Sequence, residues 1–482
     1  MASQLLDSRL RGNDGKWFNN PCRDFLFNIC YSNIQMDNQF KNSFVFVLGR
    51  EQEIALEELK SVLTRFDFSC LPAGRVLKPS IYKITANQVF ANIDNFTISD
   101  AERVMDALAG TIKIYKLEGR IDKDITSQIA SIFRARKTDS EGKINFAISY
   151  FGRGFSRQNI NLIALTAKKQ LKGDFSLRYV ESRDSSELSS ILSLKNNLLT
   201  KGIEFGLFDD SIGVMIALNN PEEWSKRDYG KPAADKFSGM LPPKLARMMI
   251  NLALGEISKQ DVILSGSEES RSNAPLDPSA VPQDDESRTL FFDPFCGSGN
   301  ILMEGLMLGY DVVGSDISEK AVEDTKANLE WLKNQNTDNR IQITAFHADA
   351  TSEEYIKKLT TDNCELITGY KNLVFVTEPF LGEPKKFKPT YNAATGEYLK
   401  IKELYINFLK NIKQLAAGDR ELAICIVFPL VETVEGRRFS LFRESVDEIR
   451  ELGYTQIRQS MTYGRDYQVV KREIVLLKLE QI

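Results

Sequence analysis

Asp293–Asn300 reads DPFCGSGN, and it sits between two apolar runs of different period. Thr289–Phe292 (TLFF) before it has the length and β-propensity of a buried strand, and Ile301–Leu308 (ILMEGLML) after it has the periodicity of a helix. Gly297 and Gly299 allow the backbone of the intervening turn to approach a ligand that a Cβ would exclude. The following helix offers free N–H groups at its N-terminus. This strand–turn–helix unit predicts a Rossmann-like α/β domain over residues 289–482.

The next strand ends mark the same crevice. Asp311–Gly314 (DVVG) is a second strand followed by Ser315, Asp316 and Ile317, where an acidic side chain can accept both hydroxyls of a ribose. The distance from Asp293 to Asp316 suits the ~20-residue interval of nucleotide-binding folds. Ile341–Phe346 (IQITAF) predicts a third strand ending near Asp349-Ala350, where a carboxylate can accept from an adenine amino group. The turn is D-P-F-C-G-S-G rather than G-x-G-x-x-G, and Asp293 can hold a ligand ammonium group. Together these features favour S-adenosylmethionine over a nicotinamide dinucleotide. The expected cofactor contacts are Asp293, Pro294, Phe295, Gly297, Gly299, Asp316, Ile317, Asp349 and Ala350.

The fourth strand, Asn372–Val376 (NLVFV), runs into Thr377-Glu378-Pro379-Phe380. Here the sequence resembles the amino-methyltransferases, which carry D/N-P-P-Y. An exocyclic amine conjugated to a base ring is a poor nucleophile. A side-chain oxygen and a backbone carbonyl that accept its two N–H bonds make its lone pair available, while the aromatic residue stacks on the base. A base inside a helix must be flipped or already unpaired to reach such a pocket. This chain departs from the pattern at Thr377 and Glu378, so either Glu378 supplies the carboxylate or backbone carbonyls do the positioning.

Working outward, 482 residues suit two or three domains. Six scattered Cys, no Cys-x-x-Cys pair and a single His argue against a disulfide framework and a structural zinc site, and point to a cytoplasmic protein. The first residues carry no apolar h-region, and no segment approaches the ~20 apolar residues of a membrane helix. The most apolar stretch, Leu422–Val431, is strand-length and is expected to end near Pro429.

Residues 1–35 read as an extension without sustained period, expected to be disordered, with either Met36 or Met1 as the functional start. Residues 36–112 alternate strand, helix, strand, strand, helix, strand, which predicts a ferredoxin-like unit. Its second helix, Ser99–Leu108, is expected to be capped by Ser99 or Asp100. A second α/β block spans 113–220, with strands at Ile144–Tyr150, Phe175–Val180 and Ile212–Leu218 and helices at Ile125–Phe133 and Asn159–Leu171. Residues 221–257 hold a Gly/Pro-dense connector and the apolar helix Lys244–Leu254. Residues 258–288, rich in Ser, Asp, Glu and Pro, predict a low-complexity insertion loop.

The net charge of −4 hides a polarity along the chain. Between Lys113 and Arg178 there are 14 basic residues against 6 acidic ones, whereas Ser258–Leu290 has 3 against 7. Charge alone favours a solvated face for the first stretch.

Beyond these pieces the chain resembles the THUMP-domain tRNA guanine N2-methyltransferases, which modify the guanosine at tRNA position 10. The resemblance covers most of Met36–Ile482 and rests on Arg227–Ala253 (RDYGKPAADKFSGMLPPKLARMMINLA), on the cofactor turn, and on the closing hairpin Tyr463–Leu476 (YGRDYQVVKREIVL). It implies a class I methyltransferase domain preceded by ferredoxin-like and THUMP domains, with tRNA as partner. It also implies that the basic stretch grips the tRNA acceptor end through phosphate contacts. The expected RNA-binding residues are Arg134, Arg136, Lys137, Lys168, Lys169 and Lys172, with Lys385 and Lys386 in the basic, aromatic loop after the fourth strand. Eukaryotic members of that family use a small activator protein, on which this sequence carries no signal. Methylation of ribosomal RNA and a catalytically weakened RNA-binding role stay open at this point, whereas the basic N-terminal block argues against methylation of DNA or of a protein amide.

Overall fold

The computed structural model describes residues 40, 42–65, 79–137, 142–182, 185–233, 241–264, 288–335, 341–360, 365–416 and 420–480. The N-terminal extension with Met36, and residues 265–287 of the expected insertion, lie outside the described residues.

The chain first builds β1 (Ser43–Leu48), α1 (Gln52–Arg65), β2 (Ser80–Ile84), β3 (Gln88–Asn92), α2 (Ile98–Ala107) and β4 (Thr111–Arg120). α2 starts one residue earlier than the expected Ser99–Leu108, and its cap differs. Thr97 is its N-cap, and Asp100 is the reciprocal partner in a capping box rather than the cap itself. There follow α3 (Ile125–Arg136), β5 (Lys143–Tyr150), α4 (Arg157–Gln170), β6 (Ser176–Tyr179), α5 (Ser190–Lys195), β7 (Ile203–Leu207) and β8 (Ser211–Leu218). All eight strands form one sheet in the order β2-β3-β1-β4-β8-β7-β5-β6. β4 runs through the expected boundary between residues 112 and 113 and pairs with β1 on one side and β8 on the other, so both halves share a sheet.

β7 was not legible in the sequence because Glu204 interrupts its apolar run. Glu204 is fully buried, where Lys113 pairs with it at 2.5 Å and the hydroxyls of Tyr115, Ser149 and Ser193 donate to its carboxylate. A buried charge persists in a core only when it is paired and hydrogen-bonded in this way.

Two helices then cross to the second half of the molecule. α6 (Pro221–Tyr229) is capped by Asn220, and α7 spans Pro243–Leu264. α7 is longer than the sequence suggested and continues into the first residues of the expected insertion.

The second sheet uses β9 (Thr289–Asp293), α8 (Asn300–Met307), β10 (Asp311–Asp316), α9 (Glu319–Lys333), β11 (Ile343–His347), α10 (Glu353–Thr360) and β12 (Asn372–Thr377). It continues with α11 (Tyr391–Tyr398), α12 (Lys402–Lys413), β13 (Glu421–Glu432), β14 (Arg438–Ser440), α13 (Val446–Glu451), β15 (Tyr454–Gln456), β16 (Met461–Tyr463) and β17 (Val470–Leu479). Its main path is β11-β10-β9-β12-β13-β17-β15. The first five strands are parallel, while β17 and β15 run antiparallel to their neighbours. β13 runs straight through Pro429, which lies opposite Arg472 of β17.

Strand alternation feeds two cores, as a sheet covered on both faces requires. Leu290, Phe292, Leu373, Phe375, Ile424 and Ile426 pack with α10 and α12 on one face. Phe291, Val374, Val376, Cys425 and Val427 pack with α7 and α8 on the other.

α7 also seats the first sheet on the second. Glu58 of α1 is buried and accepts from the backbone N–H groups of Ala109 and Gly110 and from the Asn251 amide. Arg65 donates to Asn251 Oδ1 at 2.7 Å, and Arg458 pairs with Glu57 at 2.8 Å and with Glu256. A Cβ on Gly255 of α7 would stand 2.6 Å from Ser61 Oγ of α1, so the two helices touch at a glycine. Among the described residues, no helix is long and apolar enough to cross a membrane.

Candidate functional site

In the second sheet the chain winds one way through β9, β10 and β11 and then the other way through β12 and β13. The reversal lies between the adjacent strands β9 and β12. A crevice opens at the carboxyl ends of parallel strands at such a point, and ligands bind there in open α/β sheets.

Asp293 ends β9 and Thr377 ends β12. The Thr377 hydroxyl donates to Asp293 Oδ1 at 2.7 Å, bridging the crevice floor. The backbone N–H of Phe295 also donates to that oxygen, at 3.3 Å. Asp293 is only 2% exposed. Burial pushes its carboxyl up to about 7, against the opposing pull of the Thr377 hydroxyl.

The glycine turn then enters α8. Gly297 (φ +51°) and Gly299 (φ +81°) both adopt left-handed backbone, and Gly299 is the N-cap of α8. A Cβ on Gly299 would crowd Thr325 at 3.0 Å, but one on Gly297 would meet nothing within 4 Å. The turn therefore needs glycine for conformation and leaves open space beside residue 297. Pro294 accepts from Ser315 Oγ through its carbonyl at 3.3 Å, and Phe295 packs edge-on against Phe408.

At the end of β10, Asp316 accepts from Gly297 N–H at 3.0 Å and from Ser318 N–H at 2.9 Å, one on each carboxylate oxygen. Asp316 thus locks the turn to the start of α9, and Ile317 beside it is exposed. Asp349 follows β11 and accepts from the N–H and hydroxyl of Thr351 at 2.9 and 2.7 Å. Ala350 is buried, and its carbonyl accepts from Asn411. The expected cofactor residues therefore converge on one rim, at the ends of three adjacent parallel strands.

The expected catalytic segment is divided. Thr377 faces inward and is fully buried, so its hydroxyl proton goes to Asp293 rather than outward. Glu378 is held by Arg472 of β17, with Nε at 2.6 Å and Nη2 at 3.3 Å. Burial raises the Glu378 carboxyl above the usual carboxylate range, with Arg472 pulling the other way. Pro379 is buried, whereas Phe380 is 49% exposed and its carbonyl accepts from Tyr405 at 3.0 Å.

The basic residues separate into two groups. Arg134 pairs with Asp174 at 2.7 Å, Arg136 pairs with Glu118, and Lys137 donates to the carbonyl of Thr200. Lys113, counted in the basic excess, is buried with Glu204. Lys168 and Lys169 lie in the last turn of α4 and Lys172 in the turn just beyond it, and the last two are exposed. In the loop after β12, Lys385 is tied to Glu397 at 2.6 Å, while Lys386 and Phe387 are exposed, the latter by 85%.

Sequence reasoning passed over Arg472, whose partner lies 94 positions away, and Lys231, Glu304 and Asn328 behind the glycine turn. Lys231 lies in the Arg227–Ala253 block and Arg472 in the closing hairpin Tyr463–Leu476, both of which the resemblance singled out without a role for either side chain. Among the described residues, no group of His, Cys, Asp or Glu could hold a metal ion. The two described cysteines, Cys296 and Cys425, are free and buried, and burial pushes both thiols up.

The sheet order and the acidic strand ends thus define a Rossmann-like α/β domain with a ligand crevice at its switch point. No family model matches the chain. It is 25% identical over 297 residues to the tRNA (guanine(10)-N2)-dimethyltransferase of Methanocaldococcus jannaschii, covering 58% of this chain and 69% of that protein. It is 30% identical over 210 residues to the protein of the same name from Methanothermobacter thermautotrophicus, covering 42% of this chain and 44% of that one. Among solved structures it is similar to the magnesium protoporphyrin IX methyltransferase of Synechocystis, with 13% identity, a TM-score of 0.27, and coverage of 54% of this chain and 94% of that one. At that score the superposition is loose and says nothing about what this chain does.

Proposed function

We propose that the chain is an S-adenosylmethionine-dependent methyltransferase that methylates the exocyclic N2 amine of a guanosine in tRNA, at position 10. One observation carries the reading: Asp293, Asp316 and the Thr377–Phe380 segment meet at the switch point of the second sheet, in a chain whose sequence relatives bear that activity as their name.

The crevice fits the cofactor. The open space beside Gly297 is a cradle that a side chain would fill, and the acidic groups around it match the donors of the molecule. Asp316 would accept the ribose hydroxyls, Asp349 the adenine amino group, and Asp293 the ammonium group. When bound, the cofactor supplies an electrophilic methyl group on a sulfonium.

The chain's own residues do the rest. Glu378, aimed by Arg472, accepts an N–H of the target amine, and backbone carbonyls of the segment accept the other. Phe380, half exposed at the mouth, stacks on the base. Thr377 orients Asp293 and is not itself the acceptor. In the first sheet, the β1–β4 half has the β-α-β-β-α-β order and antiparallel pairing of a ferredoxin-like unit. We read the β5–β8 half as a THUMP-like tRNA grip, with Lys168, Lys169 and Lys172 as its phosphate contacts. The relatives' name implies two successive methyl transfers.

The purified chain is expected to transfer labelled methyl groups to unmodified tRNA, with nucleoside mass spectrometry placing the product as N2-methylated guanosine. Transfer to ribosomal RNA alone would refute the substrate. A second reading, a catalytically weakened RNA-binding homologue, is favoured by the inward bond of Thr377. Cofactor and tRNA binding without any turnover would establish it.

A further inference from the structure

Ser298 and Asn300, the polar residues of the glycine turn, are buried, and both are held from outside the sheet. Lys231 Nζ donates to Ser298 Oγ at 3.1 Å and to the Asn300 side-chain oxygen. The Asn300 amide in turn donates to the Leu241 carbonyl at 2.6 Å. Asn328 of α9 completes the frame, donating to the carbonyls of Ala233 and Ser298 at 2.7 and 2.8 Å and accepting from Ala233 N–H at 2.9 Å. The glycine side of the turn stays open at Gly297. The turn is thus sandwiched, with its ligand face bare and its back face bonded to the connector between α6 and α7.

We propose that Lys231 is a positioning residue for this turn, setting the affinity of the crevice for the adenosine-bearing ligand from outside the Rossmann-like sheet. The proposal rests on the cofactor reading above. Lys231 is 4% exposed, an unusual place for an ammonium group. The charged groups facing it are Asp228 and Glu304, which favour its charged form. Glu304 is shared with Arg227 at 2.7 Å and Arg247 at 2.6 Å, which leaves Asp228 as the nearby carboxylate that acts on Lys231 most strongly. Burial nevertheless pushes the lysine down to about 8. A charged lysine is the stronger donor to Ser298 and Asn300, so its hold on the turn weakens as the pH rises through that value.

The test is calorimetric titration of the full chain with S-adenosylhomocysteine. Lys231→Met is expected to weaken binding about tenfold at pH 7, as loss of a charge-assisted hydrogen bond does. The ratio of mutant to wild-type Kd should shrink by about pH 9.5, where wild-type Lys231 has lost its charge and keeps only a neutral amine donor. Taking the ratio cancels the titration of Asp293 and of the ligand. The kcat at saturating cofactor should be unchanged. Lys231→Gln, which keeps an N–H donor, should fall between the two and serves if the Met variant does not fold. A pH-independent ratio, or wild-type affinity in both variants, overturns the proposal. Failure of the wild-type chain to bind S-adenosylhomocysteine refutes the cofactor reading itself, and this proposal with it.

Discussion

Replacing Asp293 with Asn separates what the buried carboxylate does for binding from what it does to stability. The folded-state value of about 7 lies above the ordinary 3.8, because burial disfavours the charge. A carboxyl raised on folding contributes stability at low pH that is lost as the pH rises through the folded value. The window therefore runs from about pH 4 to about pH 7. At 1.36 kcal/mol per unit, the shift of about three units corresponds to roughly 4 kcal/mol in all. About 2–3 kcal/mol of this falls between pH 5 and pH 8. For a domain of this size, 1 kcal/mol moves Tm by about 2–4 °C.

Asn keeps the shape and can still accept from Thr377, but it cannot ionise. The ligand-free Asp293→Asn protein should therefore gain roughly 5–10 °C in Tm over wild type on going from pH 5 to pH 8. Thermal melts of both proteins across that range read the difference. The same variant should bind S-adenosylhomocysteine more weakly, because the ligand ammonium loses its counter-charge. A variant that is stabilised and binds worse cannot be explained by general damage. A Tm difference that is flat from pH 5 to pH 8 would refute the assignment of a buried, near-neutral carboxyl to this strand end.

Glu378→Gln should lower methyl transfer by about a hundredfold or more while leaving S-adenosylhomocysteine affinity within about twofold, as expected for a group that acts on the target amine. Because burial raises the Glu378 carboxyl, wild-type activity should also fall on the acid side at a higher pH than for an ordinary carboxylate, and the variant should lack that limb; an unchanged limb would place the titrating group elsewhere. Charge reversal of Lys168, Lys169 and Lys172 to Glu should weaken tRNA binding and reduce its salt dependence by about two counterions, without affecting the cofactor. An unaltered salt slope in a filter-binding titration would remove α4 from the RNA surface.

Much of the second sheet was legible because its strands are buried on both faces and read as continuous apolar runs between turn signals. Thr289–Phe292 and Asn372–Val376 each fall within one residue of the strands they predict. The elements that escaped share a different feature, since their local sequence contradicts their final environment. β7 carries Glu204 into a core that only Lys113 and three hydroxyls make tolerable. α7 continues past Ile257 into a sequence whose composition reads as a loop. The basic excess, read from charge alone as a solvated face, is not uniform: Lys113 is buried, and Arg134, Arg136 and Lys137 have partners within the protein. Charge counting cannot separate a phosphate contact from an internal ion pair.

The DPFCGSGN turn and the acids that follow it were determined by local chemistry: left-handed glycines, an apolar strand before them and a helix after them. These are short-range constraints, and the sequence by itself was enough to place Asp293, Asp316 and Asp349 at strand ends. What each side chain does there was decided only by tertiary structure. Thr377 meets Asp293 across 84 positions, Arg472 meets Glu378 across 94, and Lys231 reaches Ser298 across 67. A hydrogen bond or ion pair depends on distances of a few ångströms. Between residues so far apart in the chain, those distances exist only once β9, β12 and β17 share a sheet and the connector has packed behind the turn.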